Sequence, residues 1–358
     1  MPKIGPQFET LGPFRDERYD GAERPFSQRF ERSMPTFRDS DNFALKATPP
    51  APENKLPITK LPTAMAAHQG NRITTAKFFG PLFGPAGPQV SDINQGQAGS
   101  CYLLSTLAAL AIHDPQVIRD LIKDNGDGTF TVRLFQQVDG VPVPGAPPLL
   151  IRIDSELHVD ISVNHKGQPF AYSTTYATSM PYATFSSSLS AMTEQAMWVP
   201  LLEKAFAAYR GGSYDNMGQR GWSHEAMAAI LGRPAVRTRI SQLGLAATFA
   251  MLKTAERTLS PVTLATNTDP DKISMFTNTG YVPGHAYTFV GVSERGGQKF
   301  VTVRNPWGHV EPSNNSPDDG TFEISLEELG AFFEIIGSAP KSAATGKSTL
   351  PTSVRSLL

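Results

Sequence analysis

The chain changes character abruptly at Cys101. Asp92-Ile93-Asn94-Gln95-Gly96-Gln97-Ala98-Gly99-Ser100 runs up to it as a polar, glycine-rich loop. Directly after it Leu104, Leu107, Ala108, Ala111 and Ile112 recur at the spacing of a helix with one buried face. Cys101 is the only cysteine among 358 residues, and this pattern sets it at or next to the helix N-terminus. Unpaired backbone N–H groups and the positive end of the helix dipole favour a thiolate there. A thiol pKa of about 8.5 can fall to roughly 3.5–7.5 in such a place. A lone cysteine is otherwise a small buried hydrophobe, so other residues must decide between nucleophile and core side chain.

Two later stretches bear on that choice. Gly284-His285-Ala286-Tyr287-Thr288-Phe289-Val290-Gly291-Val292 opens a strand with a histidine, and Val303-Arg304-Asn305-Pro306-Trp307-Gly308 ends the next one with an asparagine. Cysteine, then histidine, then asparagine is the chain order of papain-like thiol proteases. The match extends to whole motifs. Gln95, Gly96, Gly99, Cys101 and Leu104 fit Gln-Gly-x-x-Gly-Asp-Cys-Trp-x-Leu, Gly284 to Tyr287 reads Gly-His-Ala-Tyr, and Arg304 to Gly308 reads Arg-Asn-Pro-Trp-Gly. Trp198 to Ala207 is similar to Trp-x-x-Leu-Leu-Glu-Lys-Ala-Tyr-Ala. With four blocks in order over roughly residues 80–340, the chain resembles the catalytic core of the calpain family of cysteine proteases. Ser100 and Tyr102 depart from it, standing where the family has Asp and Trp.

The resemblance implies a papain-like α+β fold of two lobes, helical around Cys101 and stranded around His285 and Asn305. It implies a calpain-like endopeptidase that binds protein or peptide substrate in extended form. Cys101 would be the nucleophile, His285 the general acid/base, and Asn305 the group that orients the imidazole. Gln95 would donate to the oxyanion beside the Cys101 N–H, and Trp307 would screen the His–Asn pair from water. The competing expectation is a silent protein of the same fold acting as an interaction module. In animal calpains the core itself binds calcium, and two acidic positions of its first site resemble Asp92 and Glu203. Val90 and Thr321, however, stand where those enzymes have the arginine and glutamate that pair as the lobes are drawn together. Asp92 also reads as a turn cap and Glu203 as a solvated helix residue, so calcium stays open here. The chemistry itself requires no cofactor.

Composition narrows the remaining classes. A net charge of -1 gives no pull toward nucleic acid. No stretch reaches the ~18–20 apolar residues of a membrane span. Met1 to Thr10 lacks the apolar core of a secretory signal, and a single cysteine suits a reducing compartment. The expectation is a cytoplasmic protein, with signal-independent export left open.

In chain order, residues 1–75 are expected to form a proline-rich arm with scattered aromatics, either solvated or docked on the core as its own inhibitor. A first lobe is expected over 76–212, a second over 213–340, and a disordered tail over 341–358. Within the first lobe the pattern predicts the Cys101 helix and a second helix after Asp114-Pro115. An Asn125-Gly126-Asp127-Gly128 turn into strand Thr129–Leu134, a strand over Leu149–Ile153, a surface insertion over 160–192 and a helix from Trp198 to Tyr209 follow. The second lobe is expected to hold a helix capped by Ser223 and strands over 235–240 and 261–266 around a helix near Leu245–Leu252. Next come a hairpin across Gly296-Gly297, a strand at Phe322 and Ile324, and a short helix through Leu329, Phe332 and Phe333 behind the capping box Ser325-x-x-Glu328.

Overall fold

The computed structural model describes residues 56–64, 71–162, 178–179, 183, 196–219, 221–312 and 318–341. Its organising element is helix α1 (Cys101–His113), ended by Asp114-Pro115, after which proline opens α2 (Pro115–Leu121). The sequence shows one apolar stripe on α1, yet nearly its whole circumference is buried. A helix apolar on most sides belongs inside a core. Around it pack α3 (Trp198–Tyr209), α4 (Tyr214–Gln219) and α5 (Ser223–Leu231). Before α1 lies β1 (Asn71–Lys77). After α2 come β2 (Ile122–Asp124), β3 (Thr129–Leu134), the small hairpin β4 (Gln137–Val138) and β5 (Val141–Pro142), and β6 (Leu149–Asp154). They lead into β7 (Glu156–Ser162) and β8 (Thr178–Ser179). The order β2-β3-β6 makes one antiparallel sheet, and β1-β7-β8 makes another.

The second core is a six-stranded antiparallel sheet of β9 (Val236–Arg239), β10 (Val262–Thr266), β11 (Ala286–Arg295), β12 (Gln298–Arg304), β13 (Thr321–Ser325) and β14 (Phe333–Ser338), in the order β13-β12-β11-β10-β14-β9. Helices α6 (Ile240–Leu243), α7 (Leu245–Thr258) and α8 (Leu326–Phe332) accompany it. Phe249, Leu252, Leu264, Tyr287, Phe289, Val301 and Val303 are among the side chains that fill this core. Helical and antiparallel halves together give the mixed α+β architecture expected of a papain-like fold.

The two cores meet along α1 and β11. Thr288 Oγ1 donates to the Ser105 carbonyl at 3.0 Å, Ile112 packs on Val290 with Val90 beside them, and Ala286 lies within the first core. These contacts set the head of α1 against the head of β11. Cys101 and His285 are therefore brought to the same end of the seam.

Several boundaries move. A division between residues 75 and 76 would cut through β1, whose seven residues pair with β7 from Asn71↔Ser162 to Lys77↔Glu156. Residues 56–64 are also docked on the first lobe. Thr59 N–H donates to Arg152 O at 2.7 Å, Thr63 N–H to Gly212 O at 2.9 Å, and His158 Nε2 to Pro62 O at 2.8 Å. A division between 212 and 213 fails too, because Tyr214, Met217, Ala226 and Ile230 belong to the first core. Trp222, not Ser223, is the N-cap of α5, and Phe333 opens β14 instead of extending α8. Of the expected insertion, residues 160–162 continue β7, and all but 178–179 and 183 of the rest lies outside the described residues, as do residues 1–55, 65–70 and 342–358.

Candidate active site

Backbone close approach shapes the loop before Cys101. A Cβ on Gly99 would stand 2.5 Å from the Gly218 carbonyl oxygen, so only glycine lets this loop lie against α4. A Cβ on Gly221 would fall 2.0 Å from Tyr102 Cζ, and the Tyr102 hydroxyl donates to Met217 O at 3.0 Å. Tyr102, which replaces the family's tryptophan, is thereby clamped behind the first turn of α1. Cys101 is the first residue of that helix.

His285 Nε2 lies 2.9 Å from Asn305 Oδ1. The asparagine amide is oriented independently of the histidine: its Nδ2 donates to Val310 O at 3.2 Å, and its Oδ1 accepts Trp307 N–H at 3.1 Å. An acceptor therefore faces Nε2, which must carry the proton, leaving Nδ1 as the basic nitrogen of the neutral ring. Trp307 covers the imidazole at 4.7 Å between ring centroids, and Tyr287 meets it edge-on at 5.0 Å. Asn305 is fully buried and His285 nearly so. The His285 backbone is held by Thr266, whose Oγ1 accepts its N–H at 2.9 Å.

Burial dominates the electrostatics. It pushes the Cys101 thiol up, while the backbone N–H groups of Ala286, Tyr102 and Cys101 itself pull the other way. Burial also holds His285 down at about 4, against the opposing effect of Asn305. The helix N-terminus is where the sequence places it, but desolvation outweighs it, so each group alone favours its neutral form. A thiolate and an imidazolium would have to form together, each stabilising the other's charge.

Gln95 is placed by its backbone N–H, which donates to Pro306 O at 2.9 Å. Its side-chain Nε2 donates to Ala98 O at 2.7 Å. One amide hydrogen is taken in this way and the other is left to donate. Arg304, next to Asn305, donates through Nη2 to Ile93 O at 3.1 Å. This tie and that of Gln95 join the two loops across the lobes. Arg304 stands inside the unbroken Arg-Asn-Pro-Trp-Gly motif, but its partner Ile93 is 211 positions away, so no local pattern points to the contact.

The two acidic positions are occupied as hydrogen-bond acceptors. Asp92 Oδ2 accepts from Gln89 N at 2.9 Å and Trp198 Nε1 at 2.7 Å, and burial raises its carboxyl against these two bonds. Glu203 is no solvated helix residue: it is fully buried, Oε1 accepts from Ser100 Oγ at 2.6 Å, and Oε2 accepts from Ala183 N at 2.7 Å. Burial lifts its carboxyl to about 7 against those same bonds. Lone pairs aimed at N–H and O–H donors do not suit a hard cation, which needs several oxygens converging on one point. Among the described residues no group of three or more acidic, histidine or cysteine side chains converges in that way. Val90, at the family's arginine position, packs instead against Ile112 and Val290 at the seam.

Comparison with known proteins agrees with this geometry. The profile of the calpain family cysteine protease matches residues 61–144 and 178–325. Calpain-9 of Rattus norvegicus is 27% identical over 281 residues, covering 71% of this chain and 37% of the relative. The calpain-type cysteine protease DEK1 of Zea mays is 26% identical over 240 residues, or 65% of this chain and 10% of the relative. Calpain-14 of Homo sapiens is 29% identical over 230 residues, or 62% of this chain and 28% of the relative. The chain thus corresponds to well under half the length of these relatives. No single helix among the described residues is long and apolar enough to cross a membrane. A matched profile over most of the chain, on a fold that carries a bonded histidine–asparagine pair and a helix-heading cysteine, makes this chain a member of the calpain family of cysteine proteases.

Proposed function

We propose that the chain is a cysteine endopeptidase that hydrolyses peptide bonds through an acyl-thioester on Cys101. The observation that carries this reading is the His285 Nε2–Asn305 Oδ1 bond of 2.9 Å, with the next residue, Ala286, inside the core against which Cys101 packs. The proton of the thiol passes to His285 Nδ1, and the sulfur attacks the scissile carbonyl. The resulting oxyanion is met by the Cys101 N–H and the second Gln95 amide hydrogen. Collapse breaks the C–N bond as His285 returns the proton to the leaving amine. Water, deprotonated by His285, then attacks the thioester, releasing the carboxylic acid and restoring the thiol. Asn305 keeps the tautomer without adding charge, and Trp307 shields the pair. No step is routed through calcium. The proline-rich arm before residue 56 is read as a tethered inhibitor of the core.

An epoxide thiol probe tests the reading. It is expected to label Cys101 in the native protein and to lose that labelling in His285→Ala. Equal labelling of native and urea-unfolded protein would instead identify an ordinary thiol and leave an interaction module of calpain fold.

A further inference from the structure

Ser100 is the N-cap of α1, where a serine ordinarily turns its hydroxyl onto the N–H of the second or third helical residue. Here no such side-chain cap is made, and Oγ donates to Glu203 Oε1 at 2.6 Å instead. The second carboxylate oxygen accepts Ala183 N–H at 2.7 Å, so Glu203 is held from both sides. Ser100, Ala183 and Glu203 are all fully buried. Glu203 thus draws away the one side chain placed to satisfy the first N–H groups of the helix. The N–H groups of Leu103 and Leu104 both bond the Ser100 carbonyl at 2.9 Å, which leaves those of Cys101 and Tyr102, beside the sulfur in sequence, as the helix's orphan donors.

We infer that Glu203 is a positioning residue for the nucleophile: by engaging the Ser100 hydroxyl it keeps the Tyr102 amide at the head of α1 free for the sulfur. The inference rests on the protease reading of Cys101.

The test compares Glu203→Met, Glu203→Gln, Ser100→Ala and the double variant Ser100→Ala/Glu203→Met in the full chain. Glutamine can keep both contacts, accepting from Ala183 and donating to Ser100 Oγ, because a hydroxyl serves as donor or acceptor. In Glu203→Met the freed hydroxyl caps its own helix. Its kcat is expected to fall about ten-fold, the worth of one hydrogen bond of ~1.4 kcal/mol, with little change in KM. Alkylation of native Cys101 by iodoacetamide should slow in parallel. Glu203→Gln and Ser100→Ala should stay near the wild type, and the double variant should recover most of the lost rate because the competing hydroxyl is gone. A purely structural carboxylate predicts no such recovery, and a double variant no faster than Glu203→Met overturns the inference. Should Glu203→Met fail to fold in a thermal melt, Ser100→Ala decides alone: a near-normal kcat supports the inference and a ten-fold loss, again about one hydrogen bond, overturns it. A wild type that cleaves nothing would remove the protease reading, while unchanged alkylation in a folded Glu203→Met would still overturn this one.

Discussion

Arg304 Nη2 reaches the Ile93 carbonyl at 3.1 Å, tying the strand that delivers Asn305 to the loop that delivers Cys101. The guanidinium is buried, and its charge is penalised enough to bring its pKa down to about 10. Removing it leaves a buried carbonyl unpaired, a loss of about 1–3 kcal/mol. Arg304→Met is therefore expected to fold with a lowered Tm and to lose at least about ten-fold in kcat as the two loops lose register. Lysine should not rescue it, since it lacks the planar fork. Kinetics alongside a thermal melt check this, and a wild-type kcat in Arg304→Met would show the tie to be idle.

His113, at the C-terminal end of α1, gives the fold an acid limit. It stacks on Phe289 at 6.4 Å, and burial holds its pKa down at about 4, with the Phe289 backbone acting in the opposite sense and Lys341 adding to the effect. Its unfolded pKa is about 6.5. The unfolded chain therefore takes up a proton below that value while the folded one does not, and stability falls as the pH drops from 6.5 toward 4. Going from pH 7.5 to pH 5 should cost roughly 2 kcal/mol through this residue alone. Urea unfolding at the two pH values should show a smaller difference for His113→Phe than for the wild type. An equal loss in both would place the acid sensitivity elsewhere, His285 being the next candidate.

Calcium is expected to leave the activity unchanged. Asp92 Oδ2 accepts from both Trp198 and Gln89, the two Glu203 oxygens accept from Ser100 and Ala183, and Val90, Ile112 and Val290 pack together at the seam. Rates measured in excess calcium and in excess chelator should coincide. Loss of activity in chelator, restored by calcium, would defeat this expectation.

Deleting residues 1–55 should raise activity while leaving the melt unchanged, because the deletion spares the docked 56–64 segment and β1. A tethered arm at millimolar effective concentration with a dissociation constant near ~0.1 mM would occupy the cleft about nine-tenths of the time, so removal should give roughly a ten-fold gain. No gain would make the arm a tail or a targeting segment. A deletion ending at residue 75 would be a poor test, since it unpairs β7.

Lys204 is fully buried and donates to Asp154 Oδ1 at 2.6 Å, Glu156 O at 2.7 Å and Asp154 O at 3.0 Å, which fastens α3 to the corner between β6 and β7. Lys204→Ala leaves that corner without its cation and should destabilise by about 3–5 kcal/mol, read as a shift in urea midpoint. A shift no larger than a surface substitution's would mean that water replaces the ammonium.

What could be read from sequence depended on whether a residue's partner was near in the chain. The Cys101 helix announced itself through a repeat of about 3.6 residues, and β3 through the Asn-Gly-Asp-Gly turn before it. Strand β1 did not, because its β-branched Ile-Thr-Thr run is only three residues long and its partner β7 lies 79 to 91 positions away. Strand β14 follows α8 with no breaker between them, so Phe333 read as a continuing helix. At the site, the motif context singled out His285 and Asn305, which the structure sets 2.9 Å apart. The bond between Ser100 and Glu203 joins residues 103 apart in sequence, and no local pattern could place them together.

Ala286 follows His285 in the chain, yet it lies in the core that surrounds α1. Swinging the halves apart like a hinge would pull that methyl out of its surroundings, strip Val290 from Ile112 and break the Thr288–Ser105 bond. The seam therefore behaves as an interior instead of a joint. On the protease reading, a substrate would meet the site as the two cores hold it, and the conformational cost of fitting would fall on the substrate.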